Sequence, residues 1–164
     1  ATIVALRPIP GKKFVDKLAR LIALPAHLAE RNLLETKFGD FHLLRDRFDH
    51  FKDLLSSPKN IITALDAHKQ RLEWQIRRIY RVRNIIVHSG KIPNYTKPLI
   101  EHTHDYLDTI LSRLVELASK PKSIHSVAQG FKFVELRYDA YYKRLSAKGL
   151  VFDENNIHDL LFYH

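Results

Sequence analysis

The stretch RRIYRVRNIIVHSGK, residues 77–91, gathers five basic side chains, one Asn and one His into about four helical turns. Arg carries a permanent charge on a fork of donors that matches phosphate oxygens. His exchanges protons near neutral pH from an unperturbed pKa of about 6.5. Together they suit chemistry on a phosphate, in which protons move and developing negative charge must be stabilised. Arg83, Asn84 and His88 are the candidate catalytic residues, with Asn84 orienting His88 or donating to the phosphate. Arg77, Arg81 and Lys91 are the candidate RNA contacts.

At 100° per residue, Asn84 and His88 share a helical face, and Arg77 and Arg81 precede them on it. Arg83 is turned from His88 by roughly 140° on an ideal helix, close to the rim of the apolar stripe. A straight helix cannot aim both at one phosphate. Either its end frays near Gly90 and swings His88 round, or two copies of the helix combine their groups across an interface. The plainer reading is a basic solvated face closed by a capping His. Arg78 points away from the Asn84–His88 face and stands outside the site.

The apolar spacing predicts an all-α chain, an antiparallel helical bundle with two long central helices and short accessory ones. After an entry segment at 1–10, with ATIVAL its only strand-like run, a helix at about 12–24 turns Phe14, Val15, Leu18, Leu21 and Ile22 inward. Pro25 kinks or ends it, and a second piece runs to Phe38 and Gly39. Asp40 is placed to cap the next helix, whose stripe is Phe41, Leu44, Phe48, Phe51 and Leu55. Ser57 and Pro58 open a helix of about 30 residues reaching His88, with Ile61, Leu65, Leu72, Ile76, Ile79, Val82 and Ile86 inward. Thr96 is expected to cap a helix at 97–119, buried along Ile100, Leu107, Ile110, Leu114 and Leu117. Ser123 starts another to about Ala147 along Ile124, Val127, Phe131, Val134, Tyr138 and Leu145. Asp153 caps a short docked helix. The division expected is 1–39 as N-terminal helices, 40–147 as core and 148–164 as C-terminal helix, together one domain of a longer polypeptide.

The 164 residues suffice for one domain burying roughly 70% of its unfolded surface. The 27 Lys/Arg against 18 Asp/Glu give a net charge of +9, which predicts an anionic partner: nucleic acid first, then anionic membrane or an acidic protein. The absence of Cys excludes disulfides and thiolate chemistry, and fits a reducing cytoplasm. No apolar run approaches a membrane span and no signal peptide is visible.

RNIIVH, within RIYRVRNIIVHSG, resembles the signature of the HEPN superfamily: Arg, a polar residue, three mostly apolar residues, then His. The preceding IY and the closing HSG resemble the Apea-like branch found in bacterial anti-phage proteins. The resemblance covers about residues 40–147. It implies an all-helical domain that dimerises with the two motifs facing each other. It also implies metal-independent endoribonuclease activity leaving 2′,3′-cyclic phosphate ends, with no cofactor. By position, the family's essential Arg and His fall on Arg83 and His88, and its variable polar residue on Asn84. Some members bearing a similar pattern serve only as binding modules. The partners expected are RNA, a second copy of the chain, and an upstream sensor domain or an antitoxin subunit that masks or modifies the site, with no membrane.

Two other clusters carry less. In EHTHD, His102 and His104 diverge by about 160° on a helix and cannot share a metal. Tyr138, Tyr141 and Tyr142 could stack bases, but at helical spacing they read first as core or interface. Trp74 lies off the main stripe, against another helix or a dimer partner.

Overall fold

The computed structural model describes residues 9–10, 13–119 and 124–162. Among these the chain is all-α: α1 Phe14–Ala23, α2 Leu28–Thr36, α3 His42–Leu54, α4 Pro58–Ser89, α5 Thr96–Ala118, α6 Val127–Leu145 and α7 Ile157–Leu161, with a 3-10 turn at Pro25–His27 between α1 and α2. The ATIVAL run, and Ser123 as a helix start, lie outside the described residues.

The chain divides into two compact units. The first comprises the described residues of 1–65 and 139–162. In it α1 packs against α2, α3 and α7. Ile9, Leu21, Ile22, Leu34, Phe38 and Phe48 form one buried cluster, with Phe38 and Phe48 meeting edge to face at 5.2 Å. Leu24, Ile61, Leu145, Phe152, Ile157 and Leu160 form another. Tyr141 is not a free stacking surface: its hydroxyl donates to the Leu160 carbonyl at 2.7 Å, fastening α6 to α7.

This unit also holds an ionic chain across distant parts of the sequence. Asp16 Oδ1 accepts from Arg20 Nε at 3.2 Å and lies 3.2 Å from His158 Nδ1. Arg20 also donates to the Glu154 carboxylate and, at 2.9 Å, to its carbonyl, and His27 Nε2 lies 2.8 Å from Glu154 Oε1. Burial alone would raise the Asp16 pKa. Hydrogen bonds from His158 and Arg20, and the charge beside it, outweigh that and hold the carboxyl below its ordinary value.

The second unit, Asp66–Tyr138, carries α4 from Asp66 onward, all of α5 and α6 as far as Tyr138. Val82, Leu99 and Leu117 are its buried apolar side chains among the described residues. Tyr106 donates its hydroxyl to Gln75 Oε1, linking α5 to α4. At Gly130 a Cβ would come within 2.3 Å of Leu114 Cδ2, so the missing side chain lets α6 lie close on α5.

Several expected inward stripes are only partly covered. Leu18, Leu21 and Ile22 of α1 turn inward, but Phe14 and Val15 do not; Phe48 and Leu55 are covered, but Phe41, Leu44 and Phe51 are not. Ile76, Ile100, Leu107, Ile110, Val127, Phe131, Val134 and Tyr138 are exposed as well.

The caps differ too. The Asp40 side chain makes no cap bond; Phe41 occupies the N-cap of α3. Thr96 is the first residue of α5 rather than its cap, and its hydroxyl bonds back to the Pro93 carbonyl at 2.7 Å. Asp153 accepts from the amides of Asn155 and Asn156, both at 2.8 Å, shaping the turn before α7 instead of capping it. Ser126 supplies an oxygen to the Gln129 amide at 3.2 Å, the cap bond of α6.

Candidate functional site

The 32 residues of α4 rise about 48 Å. Ser57 Oγ accepts from the Asn60 amide at 3.3 Å and Pro58 takes the first helical position, where its missing N–H costs nothing. At the far end the ladder is intact: Gly90 N donates to Ile86 O at 2.9 Å, and Gly90 then turns the chain with φ +65°. Ser89 Oγ donates to the Ile85 carbonyl at 2.7 Å. Helical bonding therefore continues past His88, whose ring keeps its regular bearing on an exposed face.

Arg83 and Asn84 are brought together. A guanidinium nitrogen of Arg83 donates to Asn84 Oδ1 at 3.0 Å, so the amide steadies Arg83 rather than His88. Arg83 also lines an apolar groove of about 360 Å³ between α4 and α5, with Val82, Val87, Leu99, Ile100 and His104. His88 is not part of that lining, and among the described residues no hydrogen bond joins it to Arg83 or Asn84. Of the two ways to unite the Arg and His, fraying at Gly90 is not what α4 does. Within one chain the two groups stay on different faces of the helix.

The RNA-contact candidates are all exposed. Arg77 has an 81% exposed side chain and only a distant ion pair, 3.8 Å, to Glu73. Arg81 follows one helical turn on, and Lys91 stands just beyond Gly90. A charged donor held this loosely is available to an anion at little desolvation cost. From Arg71 to Lys97, seven Lys/Arg face a single acidic residue, Glu73.

Two features escaped the sequence reading. His104 joins Arg83 at the groove; its four-residue spacing from Ile100 was the available signal. Arg78, outside the Asn84–His88 face as expected, lies over the Trp74 ring at 4.6 Å and the Tyr95 ring at 5.6 Å. The Trp74–Arg78 spacing of four foreshadows the first contact, but Tyr95 arrives from beyond the turn. Among the described residues, no three His, Cys, Asp or Glu side chains are grouped to hold a metal ion, and no helix is long and apolar enough to cross a membrane. No protein-family model, curated protein or solved structure matches the chain.

Proposed function

We propose that the chain is a HEPN-like endoribonuclease, acting without metal through 2′-OH attack at a site shared by two copies, in the manner of a toxin or phage-defence effector. The carrying observation is Arg83, fixed by Asn84, and His88 at the end of one unbroken basic helix. Arg83 stabilises the phosphorane charge, and His88 of the opposing copy moves the proton. The second copy has a surface to meet. Ile100, Leu107 and Leu111 lie along one face of α5, at 52%, 52% and 49% exposure, and Ile100 also walls the Arg83 groove. An apolar face that the described residues leave open beside the incomplete site is where a homodimer would close it.

Wild-type and His88→Ala proteins, incubated with total cellular RNA and tRNA in EDTA, test the proposal. The wild type cuts and leaves 2′,3′-cyclic phosphate ends. The variant loses cleavage while its helicity and association are unchanged. Equal cleavage by a rigorously purified variant refutes the catalytic assignment.

One observation favours a second reading: within a single chain Arg83 and His88 open onto different surfaces. On that reading the domain is a silent RNA-binding or dimerisation module of a larger protein. It would bind RNA with a steep salt dependence and never cut.

A further inference from the structure

We infer that Trp74, Arg78 and Tyr95 form a base-stacking subsite for single-stranded RNA, a platform built from α4 and the turn before α5 and separate from the Arg83 groove. The inference rests on reading the basic helix as RNA-directed. Trp74 is 58% exposed and Tyr95 44%, although Arg78 lies against both rings. A guanidinium at 4.6 Å over the indole holds the ring in place by cation–π attraction and leaves its remaining surface open. Flat rings and a flat cation in one cluster are what unpaired bases stack upon, and stacking tolerates any base because each has a π-face.

The platform also has a direction. Trp74, Arg81 and His88 follow at intervals of seven, so they fall within about 40° of one another on the helix. Trp74 and His88 are separated by about 21 Å of axial rise. A strand with a base on Trp74 can lay its phosphates past Arg81 and arrive at His88. The charge selects this occupant over a second copy of the same face, which would set Arg77, Arg78 and Arg81 against their own counterparts.

Trp74 is the single Trp of the chain, so fluorescence excited selectively at tryptophan, beyond the absorption of the seven Tyr, reads this position alone. The titration uses the His88→Ala background, in which bound RNA survives, and a short single-stranded RNA in EDTA, with fluorescence anisotropy of labelled RNA as the independent measure of binding. Saturating RNA quenches the Trp74 emission. Tyr95→Ala and Arg78→Lys each weaken binding about 5- to 100-fold, the range for losing one stacked base. Arg78→Lys keeps the charge, so attraction to phosphate alone predicts no such loss.

Binding without quench, full affinity in both variants, equal quench by polyphosphate, or quench by poly-glutamate in place of RNA each overturns the subsite; so does failure of RNA to bind at all. Cleavage by the wild type is scored separately. Quench without cleavage retires the nuclease and keeps the subsite, whereas cleavage without quench does the reverse.

Discussion

Leu21 and Ile157 are sealed at 0% exposure in the unit built from the chain's two ends, whereas Leu107 and Val115 stand 52% and 67% exposed in the unit of residues 66–138. Both sets lie on amphipathic helices. The difference is what meets them. In the first unit several short helices converge, and the Asp16–Arg20–Glu154 chain ties α1 to the turn before α7. In the second, segments of three helices share a small number of sealed positions, and among the described residues the faces turned away from those contacts stay exposed. An amphipathic pattern specifies that a face is apolar; it does not specify that the same chain covers it. Arg83, Asn84 and His88, the RNA-contact candidates Arg77, Arg81 and Lys91, and the Trp74–Arg78–Tyr95 cluster all belong to this second unit, where surface is available for a ligand.

The largest effect expected from disturbing this contrast comes from the sealed core. Leu21→Ala removes buried methyl groups and leaves a cavity, and destabilises the protein by about 2–5 kcal/mol in denaturant titrations. A loss below about 1 kcal/mol would mean that the site collapses around the smaller side chain.

The ionic chain comes next. Asp16→Asn, which keeps the shape but loses the charge, costs about 2–3 kcal/mol near neutral pH, because Arg20, 12% exposed, is left with one of its two carboxylates. The sign of its pH dependence follows from the depressed carboxyl. The unfolded chain takes up the proton first, near the ordinary value of 3.8, so the charge contributes fully above that value. The contribution is lost as the pH falls through the lower folded value. Unfolding midpoints of wild type and Asp16→Asn therefore converge as the pH falls below the ordinary carboxyl value of 3.8. Parallel curves across that range would remove Asp16 as the acid-sensitive tie.

Much of the fold was legible because period-3.6 spacing survives any tertiary context: α1, α3, α4 and α5 lie within a few residues of where Leu21, Phe48, Val82 and Leu117 put them. Pro25 and Gly90 marked true breaks for the backbone reasons that make them visible in sequence. The caps were less legible. Asp40, Thr96 and Asp153 have suitable side chains, yet a shift of one or a few residues in the helix start takes each off the cap, and Thr96 and Asp153 make other local bonds instead. The ionic chain was invisible, since Asp16 and His158 are paired by folding and not by spacing. At the candidate site, α4 fixed the angular relation of Arg83 to His88 before any coordinates. The Arg83–Asn84 bond depends on rotamers, and Tyr95 reaches Arg78 only because the chain turns at Gly90.

The smallest effect on the fold, and the sharpest on assembly, is expected at Leu107. With half its surface already in water, Leu107→Lys has little transfer free energy to lose, and thermal unfolding of the isolated chain shifts by no more than about 0.5 kcal/mol. If two copies meet along Ile100, Leu107 and Leu111, the same change places an ammonium in each half of an apolar interface, where neither finds a carboxylate partner along that stripe. Sedimentation should then report monomer where the wild type associates. Cleavage should disappear with the dimer, because Arg83 and His88 of one helix cannot meet unaided. A Leu107→Lys protein that remains associated and still cuts would move the interface off this face of α5. One that is monomeric and still cuts would require Arg83 to work with an imidazole of its own chain, and His104, across the groove, is the one the fold supplies.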